Sequence, residues 1–183
     1  MRTPITVATL LGVLLGASSL GTAATLDVDK TKSKIQVLAK ATGHNFTGTL
    51  TDYTITASGD ATTLKPTALD LSWSFKNLDT ADKGRDTEMI KWLGGGAPKG
   101  SYKFVKVWSK DGVDYAEGTL TINGVAKTVQ IPITVKKDAG VITTTGKVEI
   151  DYKNFGLPIV RAMLVMTVDP KVAVSFTVVG KVK

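Results

Sequence analysis

The sequence predicts an all-β, antiparallel fold of about eight strands with one short inserted helix, and three observations carry that reading. Apolar and polar residues alternate with a period of two in segment after segment, so each segment has one apolar and one wet face. Most of these segments are joined by short turn signals, which favours hairpins and antiparallel neighbours. The alternation gives way to helical spacing in one place only, between Asn77 and Gly94.

The elements follow in order. Leu26 to Asp29 can form a short first strand, and Lys34 to Lys40 alternates with Ile35, Val37 and Ala39 on one face. Thr42-Gly43-His44-Asn45 reads as a turn, and Phe46 to Ile55 returns as a strand with Phe46, Gly48 and Leu50 on one side. Ser58-Gly59-Asp60 and the segment to Lys65-Pro66 read as a polar loop. Leu69 to Asn77 alternates next, with Leu71, Trp73 and Phe75 facing one way. Met89, Trp92 and Leu93 then fall at i, i+3 and i+4 and share a helix face. Asp79 or Thr80 suits the helix cap, and Asp82 and Asp86 suit its positive end, paired on the solvent side. Gly94, Gly95, Gly96 and Pro98 stop it.

Tyr102 to Trp108 and Tyr115 to Ile122 flank Lys110-Asp111-Gly112, and Asn123-Gly124 is the strongest hairpin turn in the chain. The next strand, Ala126 to Val135, sets Val129, Ile131, Ile133 and Val135 on one face, and its Pro132 marks an edge, a strand end or a bulge. Asp138-Ala139-Gly140 turns into Val141 to Asp151. A looser stretch, Phe155-Gly156-Leu157-Pro158, leads to a last strand with Val172, Val174, Phe176 and Val178 on one face. The repeated apolar face must be hidden by closing the sheet or by stacking two sheets, and alternation alone admits both.

Composition narrows the function classes. Residues 1–24 read as a secretory leader: Arg2, an apolar run from Ile5 to Leu15, and small residues up to Ala23 and Ala24. Residues 25–183 then make one domain, expected outside the cytoplasm. There is no cysteine, which removes disulfides, thiol nucleophiles and thiolate metal sites. The net charge of +7 comes from 23 basic residues set against 16 acidic ones, and only Arg2, Arg85 and Arg161 are arginines. Scattered lysines without arginine clusters exclude a specific nucleic-acid reader and leave a solvated surface, with transient contact with a membrane surface allowed.

Catalytic and metal motifs are thin. His44 is the only histidine; a dyad with Asp52 can be drawn, but no G-x-S-x-G elbow accompanies it. An enzyme would have His44 and Arg85 as its polar actors, while a filled-core interaction domain would need none. Metal ligands do not cluster, and no cofactor is implied. Gly94 to Gly100 follows a helix rather than preceding one, so it is a stop and not a phosphate cradle. What remains is an apolar inventory: Phe46, Leu71, Trp73, Phe75, Met89, Trp92, Leu93 and Phe104 are the candidates to line a greasy binding cavity.

Several blocks together resemble the YceI-like family of periplasmic polyisoprenoid-binding proteins. They are Leu78-Asp79-Thr80, Arg85-Asp86, Trp92-Leu93 and Tyr102-Lys103-Phe104; then Gly118 to Lys127, similar to "G-x-L-T-I-x-G-V-T-K"; then Gly146 to Ile150 with Asn154-Phe155-Gly156. The resemblance implies an extended, antiparallel, eight-stranded lipocalin-like barrel with a long isoprenoid chain in its lumen, periplasmic residence and no catalysis. The implied partner is an isoprenoid or other long-chain lipid; a homodimer is compatible with it. Two departures stand out. Glu88 occupies a position where the family carries histidine, and Gly94 to Gly100 replaces a short acidic-to-"F-P" connection.

Overall fold

The structure, a computed structural model, describes residues 23–162 and 166–183. The expected leader lies outside the described residues up to position 22. Eight strands close into an antiparallel barrel whose spatial order is the order of the chain. The first three are each broken into two pieces. β1 (Ala23–Val28) and β2 (Lys34–Ala41) make the first, and both lie along the last strand, through Leu26↔Val182 and Ile35↔Phe176. β3 (His44–Leu50) and β4 (Thr54–Asp60) make the second, and β5 (Pro66–Ser74) and β6 (Leu78–Asp79) the third. β7 (Lys99–Lys110), β8 (Val113–Ile122), β9 (Val125–Asp138) and β10 (Val141–Asp151) follow as a meander. A two-residue pair, β11 (Arg161–Ala162) and β12 (Met166–Thr167), precedes the closing strand β13 (Lys171–Val182).

The three breaks interlock. Asp29 folds the first onto itself, accepting from the Thr31 N–H at 3.0 Å and the Thr31 hydroxyl at 2.6 Å. Lys30 reaches across to the Tyr53 carbonyl and to Asp52. The Thr51 N–H and hydroxyl then donate to the Asn77 carbonyl at 2.8 and 2.9 Å. A belt of bends therefore crosses three neighbouring strands at one height, with each bend's backbone groups satisfied by the next. Sequence patterning missed two of these bends. The expected single strand Phe46 to Ile55 is split at Thr51 to Tyr53, and alternation ends at Phe75, where a 3-10 turn (Phe75–Asn77) begins, rather than at Asn77. Ser58 to Asp60 belongs to β4 and not to the loop, because Ser58 pairs with Ala68 and Gly59 with Pro66; the turn is residues 61–65. The first strand starts at Ala23, and the strand after the helix at Lys99 rather than Tyr102.

The hairpins follow turn chemistry. Asn123 and Gly124 carry φ of 47° and 83°, the double left-handed step that a tight hairpin demands and that asparagine and glycine supply cheaply. Val125 and Ile122 flank this turn and exchange both backbone hydrogen bonds, so Lys127, Val129 and Ile131 address β8 and the residues between them address β10. Pro132 has the second parity. It has no N–H to give β10, and the β9–β10 ladder stops beside it, at Ile133↔Gly146. Beyond that point the wall is closed by side chains: Phe155, only 3% exposed, belongs to a buried cluster with Ile150, and Val148 and Val129 pack against that cluster. Pro132 is thus the end of a ladder in the middle of a strand.

The inserted helix α1 (Lys83–Trp92) covers one end of the barrel. Its cap is Asp82, not Asp79 or Thr80: the Asp82 carboxylate accepts from the Arg85 N–H at 3.0 Å. Asp86 is not a solvent-side partner of Asp82. Its side chain is 19% exposed and accepts from the Thr80 N–H and hydroxyl at 3.0 and 2.7 Å, tying the helix to the strand before it. Gly94, Gly95 and Gly96 then take φ of 96°, 76° and 68°, which ends the helix and lets the chain return to β7.

Candidate functional site

The barrel is hollow. A cavity of about 1320 Å³ runs from Leu26, Ile142 and Val182 near the chain termini to Ile122, Trp92 and Ile159 at the helix end. Its wall is the alternating face of every strand, and apolar side chains dominate it. All eight residues singled out from the sequence border it.

Leu71, Trp73 and Phe104 lie on the wall, from β5 and β7. The inward face of β7 changes midway. A bulge between Phe104 and Lys106 shifts the register, so Tyr102, Phe104 and Val107 pack inward while Val105 is 60% exposed. The Tyr102 phenol is the polar group of the middle wall; burial, reinforced by Glu117, pushes it up to about 12, so it stays protonated at neutral pH. Its hydroxyl has no hydrogen-bond partner among the described residues.

Phe46, Phe75, Met89, Trp92 and Leu93 gather at the helix end, and each is held differently. The Arg85 guanidinium lies 4.3 Å from the Phe46 ring centre while Nη2 of the same residue donates to Asp82 at 3.2 Å. The backbone N–H of Arg85, then its side chain, holds the Asp82 carboxyl below the usual carboxylate range. The Trp92 indole N–H donates to the Pro158 carbonyl at 2.9 Å, and its ring meets Tyr152 edge-on at 5.0 Å. Tyr152 in turn donates to the Val168 carbonyl at 3.0 Å and accepts from the Val160 N–H at 3.2 Å. Leu93 is 2% exposed among Ile150, Tyr152, Phe155 and Leu157. Phe75 and Met89 bridge this cluster to the one around Ile35, Leu50 and Leu78.

Charge is confined to the rims. At the helix end His44, Asp82, Arg85, Glu88, Lys91 and Arg161 border the cavity, and Glu88 pairs with Lys91 at 2.7 Å. At the other end Asp60 accepts the Thr62 and Thr63 N–H groups at 2.8 Å each, which lowers its carboxyl, and Lys65 reaches Ser109 at 3.5 Å. His44 lies 6.2 Å from the Phe46 ring, while Asp52 is engaged by Lys30 at 3.5 Å.

Sequence reasoning left out two sets of residues, one lining the cavity and one packed at its helix end. Tyr102, Leu120 and Phe176 all border the cavity, and the strand alternation already placed Phe176 on an apolar face. Tyr152, Phe155 and Leu157 pack with Leu93 at the helix end, the last two of these three in the stretch Phe155-Gly156-Leu157-Pro158, whose pattern glycine and proline break.

Comparison with known proteins matches this geometry to a family. The YceI-like domain matches residues 26–180. Among solved structures, BcnA of Burkholderia cenocepacia superposes with a TM-score of 0.71 at 20% identity, covering 84% of this chain and 99% of that one. A YceI protein of Campylobacter jejuni superposes with a TM-score of 0.62 at 18% identity, covering 74% of this chain and 84% of that one. No curated protein matches the chain. The hollow eight-stranded barrel, the helix across one end and a domain match spanning nearly all of the described strands together make this chain a member of the YceI-like family.

Proposed function

We propose that this protein binds one long apolar chain of isoprenoid type, a polyprenyl lipid or a quinone-like relative, in the barrel lumen and serves as its carrier or store. The observation that carries the reading is the continuous apolar cavity. An apolar void of roughly 150 Å³ holds benzene, about 25 Å³ per carbon; at that density 1320 Å³ admits a chain on the order of fifty carbons. That exceeds the roughly 300–1,000 Å³ of an ordinary small-molecule site. Each CH₂ removed from water contributes about 0.8 kcal/mol, so a long chain gains most from a dry tube.

Binding rather than catalysis is favoured because the charged groups bordering the lumen lie at its rims, several of them paired with each other. A filled-core interaction domain is disfavoured by the open lumen. The apolar leader pattern of residues 1–24 supports export to the periplasm, and the lysine-rich surface supports transient contact with anionic membrane during loading.

The test is native mass spectrometry on protein purified from cells, then on delipidated protein offered prenyl alcohols and quinones. A bound apolar chain in the first experiment, or uptake in the second, is the expected result. Protein that carries none and takes up none overturns the reading.

A further inference from the structure

Three aromatic rings on the lumen wall lie over glycines. An ideal Cβ on Gly100 would stand 2.2 Å from Cζ2 of Trp73, one on Gly118 2.4 Å from Cζ of Tyr102, and one on Gly146 2.5 Å from Cζ of Phe176. Real Cβ atoms essentially never come this close, so each ring occupies the space that a side chain on the neighbouring strand would need. Trp73 and Gly100 are directly paired across β5 and β7, and Phe176 and Gly146 across β13 and β10. None of the three glycines has the positive φ that would explain glycine on backbone grounds. Their common property is the ring above them, the device by which a glycine in a strand is covered by a neighbouring aromatic.

From this, and resting on the reading of the lumen as a lipid site, we infer that Gly100 and Gly146 set the bore of the cavity and thereby the length of chain the protein retains. With glycine beneath, Trp73 and Phe176 lie flat and the lumen passes them uninterrupted. A methyl group on the wall side forces the ring away from the wall and into the lumen that both rings border. Gly100 is the cleaner position, because all three of its nearest neighbours are Trp73 side-chain atoms. At Gly146 the nearest backbone atom is the Pro132 carbonyl oxygen, at 3.1 Å, which a shift of a few tenths of an ångström accommodates. At Gly118 the Lys103 carbonyl oxygen, at 2.6 Å, would clash as well, so that position is not a fair probe.

The experiment compares farnesol and solanesol, a short and a long prenyl alcohol, on delipidated wild type, Gly100→Ala, Gly146→Ala and the double variant Gly100→Ala/Trp73→Leu. Displacement of a fluorescent fatty probe reports affinity, and thermal melts report folding. Either alanine variant is expected to weaken solanesol by roughly tenfold or more, the penalty of one extra methyl in an apolar pocket, and to leave farnesol nearly unchanged. Trp73→Leu, which shortens the displaced side chain, is expected to restore solanesol on the Gly100→Ala background. Folded Gly100→Ala and Gly146→Ala proteins that hold solanesol as wild type does overturn the inference, as does loss of both alcohols in equal measure. If Gly100→Ala does not fold, Gly146→Ala alone decides. A wild type that takes neither alcohol overturns the lipid-binding reading itself, a different outcome from any of these.

Discussion

Replacing Leu93 by alanine removes three carbons from the most deeply buried side chain of the helix end. At about 0.8 kcal/mol per buried carbon the transfer cost alone is about 2.4 kcal/mol. A residual void adds to it, as in the lysozyme series where Leu→Ala cost roughly 2.7–5.0 kcal/mol. Leu93 also borders the lumen, so part of the vacated space merges with volume that is already empty and the added term stays small. The expected loss is therefore about 3 kcal/mol. It is measured by urea unfolding followed by circular dichroism, with the slope m unchanged. The control is Lys91→Ala two residues away, whose side chain is 66% exposed and whose loss should stay within about 0.5 kcal/mol. A Leu93→Ala cost below about 1 kcal/mol refutes the reasoning, because it would mean that the helix end is not sealed by Leu93 against Tyr152 and Phe155.

Trp73→Asp puts a carboxylate into the apolar wall and should abolish prenyl uptake in the displacement assay, whereas Lys110→Asp at an exposed hairpin should leave it intact; equal effects would remove Trp73 from the site. The Asp29 carboxyl is lowered to about 2, by hydrogen bonds from the Thr31 and Lys32 side chains first. A lowered folded value stabilises above the unfolded value near 4, so this contribution is complete at neutral pH and fades as pH falls from roughly 4 to 2. Carbon-detected NMR titration of Asp29 checks it, and a midpoint near 4 would contradict the tight bend between β1 and β2. Asn123→Val places a β-branched residue at a φ of 47° and should cost about 1–2 kcal/mol in the same urea experiment; a neutral substitution would mean the hairpin tolerates another turn type.

How much of this was legible in the sequence depends on which interaction decided each feature. Local rules were enough for the hairpins at Asp111-Gly112, Asn123-Gly124 and Ala139-Gly140, and for the inward faces of β2, β3, β5 and β13, because a period of two and a positive φ are properties of neighbours in the chain. The belt of bends was not legible, since it is made by Lys30, Thr51 and Asn77 finding one another across strands. The bulge that turns Val105 outward is likewise a matter of pairing with β8, so β7 read alone could not choose between its two faces. The helix cap moved from Asp79 or Thr80 to Asp82 because Asp86 recruits Thr80 instead, a competition between two carboxylates that no propensity encodes. At the site, Trp73 and Phe104 stood out as large apolar residues on an apolar face. The reason the lumen stays open past Trp73 lay in the smallest residue, on a strand that sequence reading began only at Tyr102.

Pro132 carries a consequence for how the wall behaves in the cold. Over most of the circumference the staves are laced by amide hydrogens, but between 126–130 and 147–151 no ladder is present among the described residues and apolar side chains hold the wall. Apolar cohesion slackens on chilling while hydrogen-bonded lacing does not. Deuterium should therefore enter at Ala126, Thr128 and Gln130 ahead of Lys127 and Val129, and the gap between the two sets should widen as the temperature drops. A barrel of this build carries a fault line beside its helix-capped end.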